Sequence, residues 1–431
     1  MKPNCEIIEC VRNLSMIDRV LSWADLIVWS IMVIIMLIIT YYTLFVAINR
    51  NRNVVGDEKE NRFAVLIPAR NESKVIENIL ISIEKQTYPQ RMEDVYVIVE
   101  SSEDPSVEIV TRHGGKVFVR TELENRHRKG YALDECIRFI LSQNIRYDAY
   151  FIFDADNTLK KDYIEQMNVT FNQGYDLACG YRRPTNPDET VVATCSALIF
   201  SMINVFGNVE RAKKNYNVTI TGTGFYIRGS LVEKLGGYPF HTLTEDYELT
   251  MYATWKGLSS TYNENAVYMD EQPTTWKMSR RQRLRWVKGY IEARKLYGKK
   301  IQEAGRENKD NIDKRVKSLG VLPFVIMLSL IALYILFCLG IAIVSLCKNG
   351  DVAYIGAFWR IGCVLVGLYL LLCLFTICMF SSERKKTHYK LSSKIKAVLV
   401  NPFFLAGFIP LVFKALASDK IGWDEIEHKG K

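Results

Sequence analysis

The feature that most constrains this 431-residue chain is the length of its apolar runs. Residues 24–48 are almost continuously hydrophobic, broken mainly by Asp25, Ser30 and Thr40. As a helix those 25 residues reach about 37 Å, enough to cross the hydrocarbon core of a bilayer. A secretory signal has a shorter apolar core and a small-residue cleavage site, and neither is visible, so the run reads as an uncleaved anchor. Residues 319–346 and 357–380 make two further candidate spans, joined by the short loop 347–356 into a hairpin. Beyond it, residues 381–396 carry Arg384, Lys385, Lys386, Lys390, Lys394 and Lys396, against only Lys348 in the loop. Because cytoplasmic loops are the basic ones, residues 49–318 are expected in the cytosol, with the N-terminus outside. The expected location is the cell membrane, crossed more than once. Residues 397–417 are apolar but broken by Asn401-Pro402 and Pro410. An interfacial or re-entrant segment suits them as well as a fourth span, and the interface is preferred.

The chain divides on this basis into an anchor (1–48), a water-facing domain (49–318), the hairpin (319–380) and a basic, interfacial tail (381–431). The formal charge of +9 is concentrated at 280–317 and 384–396, where chain meets apolar segment. Anionic lipid headgroups, not nucleic acid, are therefore the expected partner. Ten scattered cysteines form no C-x-x-C pair, so reduced thiols are expected rather than a zinc site or a disulfide framework.

Between Arg62 and Asp154 the hydrophobic period alternates between two and 3.6, as in a β/α wind. Residues 63–68, 95–99, 116–119 and 149–153 read as strands, and 73–86 and 129–143 as helices, so the strands must pair in parallel. Open parallel sheets bind ligands at the carboxyl ends of their strands. Residues 68–72, 100–104 and 154–156 all fall at such ends and should share one cleft.

Asp154-Ala155-Asp156 sets two carboxylates one residue apart at a strand terminus, able to hold a hard divalent cation that also binds a diphosphate. Alone, the pattern equally describes surface acids at a turn. Asn71-Glu72 and Glu100 lie at neighbouring strand ends, however, and Lys129 is available to meet phosphate charge. Neither a glycine-rich phosphate loop nor a serine nucleophile motif competes for the cleft. Gly222-Thr223-Gly224 is a flexible turn before a strand at 225–228. Thr244-Glu245-Asp246 opens a helix running to Lys256, where a carboxylate is either a cap or a general base. Gln282-Arg283-Leu284-Arg285-Trp286 lies in a basic amphipathic stretch, 279–300, expected at the interface with Trp286, Tyr290 and Tyr297 in the aromatic belt. Gln282 and Arg285 are three apart and share a face, where a guanidinium can neutralise a leaving diphosphate and an adjacent indole can stack on a sugar. Residues 191–206 are apolar but short for a span, and are expected on the bilayer surface. No span is expected to carry a buried charge pair.

Pro68-Ala69-Arg70-Asn71-Glu72, Asp154-Ala155-Asp156, Thr244-Glu245-Asp246 and Gln282 to Trp286, in this order behind an anchor, resemble the processive membrane-bound family 2 glycosyltransferases: the cellulose, hyaluronan and poly-N-acetylglucosamine synthases. The resemblance covers about Arg62 to Gly289. It implies an α/β, GT-A (Rossmann-like) catalytic domain, inverting transfer from a UDP-sugar to a growing polysaccharide, and Mg²⁺ or Mn²⁺ as cofactor. By position it implies that Ala69, Glu72, Glu100 and Lys129 line the nucleotide pocket, and that Asp154 and Asp156 bind diphosphate and metal. It further implies that Asp246, beside Glu245, is the catalytic base, that Gly222, Thr223 and Gly224 approach the acceptor, and that Gln282, Arg285 and Trp286 hold pyrophosphate and acceptor sugar. Trp423 and His428 resemble the family's W-x-x-I-x-H tail. The chain departs from the pattern at Glu100, where an aspartate is usual, and carries fewer spans than polymer-secreting synthases, which implies a dimer, a partner subunit or no translocation. Two rivals stay open: single transfer to a lipid acceptor, as in ceramide glucosyltransferase-like enzymes, and a non-catalytic nucleotide-sugar-binding membrane subunit.

Overall fold

A computed structural model describes residues 16–49, 57, 59–89, 93–124, 127–307, 312–320, 322–347 and 353–417. The chain forms two compact units, one made of Met1–Tyr41 and Leu319–Cys378, the other of Tyr42–Ser318 and Met379–Lys431. Among the described residues five helical stretches are long and apolar enough to cross a membrane: Arg19–Val46, Val191–Lys213, Val325–Leu346, Ala353–Glu383 and Leu391–Ala417.

The first unit is built from the helix Leu322–Leu346 and from most of the helices Met16–Asn49 and Ala353–Glu383. Small residues let such helices approach closely, and Gly367 sits where an added Cβ would lie 3.3 Å from the Trp29 ring. This unit holds a charge pair, half-buried rather than buried. The Arg360 Nε donates to the Asp25 carboxylate at 3.2 Å, and the buried Tyr334 hydroxyl donates to its other oxygen. The partners are 335 residues apart, which is why the sequence does not reveal them.

The second unit is organised by one eight-stranded sheet in the order β3-β2-β1-β4-β7-β6-β8-β5. The strands are β1 Phe63–Pro68, β2 Glu93–Val99, β3 Lys116–Val119, β4 Ala149–Ile152, β5 Thr158–Leu159, β6 Leu177–Pro184, β7 Phe225–Arg228 and β8 Ser260–Asp270. The four strands read from the sequence form the parallel half, with Leu66 level with Ile152 and Pro68 with Ile98. The side chains of β1 and β4 are buried on both faces, as their continuous apolar runs require, whereas the edge strand β3 is partly exposed. Phe63, Val65 and Ile67 pack with Ile76, Ile79, Leu80 and Ile83 of the helix Ile76–Glu84. β7 then runs antiparallel between β4 and β6, and β6 pairs in parallel with β8. The polar strand β8 has no apolar run to announce it.

The apolar stretch expected on the bilayer surface is instead largely inside this unit. The helix Val191–Met202 continues as a π-helical segment, Ile203–Val209. Its polar residues find protein partners: Thr194 Oγ1 donates to the Pro187 carbonyl at 2.8 Å, and Asn208 Oδ1 accepts from Thr219 N at 3.0 Å. The aromatics of the basic helix Trp276–Glu307 expected in the belt are half-buried and also pack on protein rings. The Trp286, Tyr290 and Tyr297 rings lie 5.5, 5.2 and 6.1 Å from those of Phe200, Tyr247 and Trp255. The tail is similarly engaged: Tyr181 donates to the buried Glu383, and Lys386 Nζ donates to the Glu264 carbonyl at 2.9 Å.

Candidate active site

β1, β2 and β4 end side by side, and three motifs leave the sheet there. Asp154 follows directly from β4, and its turn is pinned from below. The Asp154 N–H donates to Thr223 Oγ1 at 2.9 Å and to Asn157 Oδ1 at 3.2 Å. The fully buried Asn157 then donates to Asp156 Oδ1 at 3.2 Å and to Asp270 Oδ1 at 3.0 Å. Carboxylate oxygens of Asp154, Asp156 and Asp270 lie within 4.8 Å of one another. Three converging hard oxygen donors fit Mg²⁺ or Mn²⁺. Asp270 is held in place by Arg182, whose Nε is 2.9 Å from Oδ2, and by Gln272 Nε2 at 2.7 Å. Neither Asn157 nor Asp270 stands out in the sequence. Asp270 obeys the same rule as Asp154, an acid at a strand end, but its strand is too polar to recognise.

The later carboxylates face the same space. Lys129 begins the helix Lys129–Ser142, and its ammonium donates to Asp154 Oδ1 and to the Gly222 carbonyl, each at 2.5 Å, with Glu245 Oε1 at 3.8 Å. One cation thus joins the first acidic motif, the glycine turn and the acidic helix start. Burial alone would raise the Asp154 pKa, but the Lys129 charge and hydrogen bond outweigh it and hold it below the usual range. Lys129 is correspondingly raised: burial opposes its charge, and Asp154 and Glu245 more than restore it. Glu245 is pushed up to about 7 by burial, against the pull of Lys129 and with the Asp246 charge adding. Asp246 is also raised by burial, which the backbone N–H groups of Tyr247 and Gly222 and the charges of Lys129 and Arg285 only partly offset. The pair divides by geometry. Glu245 is buried against Lys129, whereas the Asp246 carboxylate lies under the open face of Gly222, 3.8 Å from where a Cβ would stand. Of the two carboxylates, Asp246 is the one that borders the space beside Gly222, and Glu245 is the more buried.

The glycine turn serves two purposes. Gly222 and Gly224 adopt φ of 64° and 65°, a region that favours glycine, and a Cβ at Gly224 would meet the Tyr268 ring at 2.1 Å. Thr223 does not open toward an acceptor. It is fully buried, and its hydroxyl supports the Asp154 turn.

Glu100 is held by two guanidinium groups, Arg70 Nε at 3.1 Å and Arg120 Nη1 at 3.5 Å, with the His127 ring Nδ1 at 3.9 Å. Ala69 is buried, its N–H donating to the Ile98 carbonyl at 2.8 Å, and the Glu72 carbonyl accepts from Val75 and Ile76 at 3.0 Å. These two residues shape the β1 turn through their backbone.

The fourth motif closes the opposite wall. Arg285 stands near enough to lower both the Asp154 and the Asp246 pKa. Gln282 Oε1 and Arg285 Nε are buried without a hydrogen-bond partner in the protein, so both are open to water or a ligand. Trp286 is turned onto Phe200 and, through it, onto the Arg182 guanidinium, which lies 3.7 Å from the Phe200 ring centre. The helix is seated by Gly289, where a Cβ would fall 2.3 Å from Thr244 Oγ1. Glu292 fastens it, accepting from Arg128 at 2.9 and 3.2 Å and from Leu243 N at 3.0 Å. Glu292 escapes sequence reading because it resembles any helix acid. Trp423 and His428 lie outside the described residues.

A model of the glycosyltransferase-like family 2 matches residues 61–289, more than half of the chain, and the chain belongs to that family. It is 28% identical over 231 residues to a probable glycosyltransferase, YdaM, of Bacillus subtilis, covering 53% of this chain and 55% of that one. It is 26% identical over 289 residues to glucomannan 4-beta-mannosyltransferase 7 of Arabidopsis thaliana, covering 64% and 50%. The chain spans about half the length of these curated relatives. Among solved structures it resembles the mannosyltransferase PcManGT of Pyrobaculum calidifontis, in complex with GDP-Man and Mn²⁺, with a TM-score of 0.56 at 17% identity over 88% of this chain and 98% of that one. The shared architecture is the GT-A fold.

Proposed function

We propose that the protein is a membrane-bound, metal-dependent, inverting glycosyltransferase that moves a sugar from a UDP-sugar onto a growing polysaccharide at the cytosolic face of the cell membrane. The observation that carries this reading is the single Lys129 ammonium shared by Asp154, the Gly222 carbonyl and Glu245. It supports a common cavity for donor diphosphate and catalytic base. Asp154, Asp156 and Asp270 would hold the cation, which supplies positive charge to the diphosphate when bound. Arg285, with its unused Nε donor, takes a phosphate oxygen from the other side, and the unused Gln282 Oε1 accepts from a hydroxyl of the bound substrate. The acceptor hydroxyl attacks the anomeric carbon opposite the departing nucleotide, and Asp246 takes its proton. A single displacement with one base inverts the anomeric centre.

Relatives named for 4-beta-mannosyl transfer support a second reading of the donor, a GDP-linked mannose. The test is transfer by purified full-length protein, with Mg²⁺ or Mn²⁺, from radiolabelled UDP-glucose, UDP-N-acetylglucosamine, UDP-glucuronate, UDP-galactose and GDP-mannose. High-mass, glycosidase-sensitive product supports the synthase. An organic-extractable product selects the lipid acceptor, and binding without transfer from any donor sinks the enzyme.

A further inference from the structure

The last described helices are amphipathic in an unusual sense: their apolar stripe faces away from the protein. In Leu391–Ala406, the residues Leu391, Ile395, Leu399 and Phe403 recur every fourth position and are between 53% and 73% exposed. In Phe408–Ala417 the stripe continues through Ile409, Phe413 and Leu416. The opposite faces, with Ala397, Phe404, Leu411 and Ala415, are buried. So long a contiguous apolar surface marks an interaction site. Exposed Lys390, Lys396 and Lys414 flank it, and the apolar helix Ala353–Glu383 ends seven residues before it begins. Both points select a phospholipid leaflet with anionic headgroups as its occupant.

The buried side is tied to the Gln282–Trp286 helix by its two most buried cations. Arg283 is 3% exposed. Its guanidinium donates to the Phe404 carbonyl at 2.7 Å and lies 4.1 and 5.0 Å from the Phe404 and Phe408 ring centres. Lys288 Nζ donates to the Ala415 carbonyl at 3.3 Å. Phe404 and Ala415 belong to the last turns of their helices, where carbonyls lack intrahelical donors and cations are favoured. Gln282 and Arg283 are adjacent, so the residue that holds the lipid-facing pair is covalently next to one that faces the cavity.

We propose that Leu391–Ala417 lies in an anionic leaflet and that Arg283 and Lys288 transmit this seating to Gln282 and Arg285, making them positioning residues that render the site lipid-dependent. The kinetic part rests on the proposed glycosyl transfer; the lipid contact does not.

The test uses the full chain in nanodiscs of phosphatidylcholine, with or without phosphatidylglycerol, carrying a phospholipid with an acyl-chain diazirine. Cross-links are expected at Leu399, Phe403 and Phe413; labelling confined to the three helices of the other unit, or equally distributed around Leu391–Ala417, overturns the seating. Backbone amides of 281–287 should exchange more slowly in anionic discs than in detergent, and an unchanged rate overturns the coupling whether or not transfer is detected. L399Q/F403Q/F413Q should lose about 10²–10³-fold in affinity for anionic vesicles and its lipid stimulation, with detergent activity unchanged. R283M and K288M should keep the cross-links but lose stimulation and raise the donor KM. Full stimulation in both variants sinks the coupling.

Discussion

The two halves of the catalytic sheet are built to different rules. The parallel half, β3-β2-β1-β4, is an apolar frame in which Phe151 is enclosed by the rings of Phe63, Tyr163 and Tyr226. The half built on β7, β6 and β8 is threaded with buried polar groups: Asn157 beneath the turn, Asp270 on Arg182, and Gln282 and Arg285 with atoms left over. A frame gains from apolar packing, whereas a site needs polar groups held where a ligand can reach them. Stability should therefore be vested in the first half and turnover in the second.

The largest expected effect on that contrast is in the second half. Asp246→Asn should lower kcat by about 10²–10⁴-fold while donor binding persists, read by single-turnover transfer and calorimetry; wild-type turnover would remove Asp246 from the mechanism. Phe151→Ala should cost about 3–5 kcal/mol of unfolding free energy, measured in denaturant, and a small loss would mean that the parallel half is not the frame. Asn157→Ala, which unties Asp156 from Asp270, should weaken Mn²⁺ binding by about 10–100-fold, followed by paramagnetic relaxation. Arg128→Ala and Glu292→Ala should be non-additive by about 0.5–3 kcal/mol in a double-mutant cycle on kcat/KM; additive losses would mean that the helix needs no such fastening.

The subtlest effect is on pH dependence. Asp246 accepts a proton only when ionised, so kcat/KM should rise with pH through its pKa, which burial sets above the ordinary aspartate range. Glu245→Gln removes a negative neighbour and leaves Lys129 freer to favour the Asp246 anion. The rising limb should then move to lower pH in a kcat/KM profile, and a move upward would reverse the assignment of the two acids.

Legibility follows the same division. β1 to β4 could be read because long apolar runs and a switching period leave few alternatives, and Asp154 could be placed because it ends such a run. Asp246, Gln282 and Arg285 depended on ordered motifs rather than on periodicity. Asn157, Asp270, Arg182 and Glu292 were invisible because each acquires meaning only through a partner far along the chain. The misplacement of Val191–Met202 has a similar cause. Hydrophobicity declares that a helix must be covered, and does not say by what.

Gly289 has a consequence for how such a site can evolve and move. Because its backbone rests on Thr244 with no room for a methyl group, an alanine there would have to part the helix bearing Arg285 from the helix start bearing Asp246. On the proposed transfer, donor affinity and turnover of Gly289→Ala would therefore fall together, and the smallest side chain in the region would be the one that fixes the spacing of its two charges.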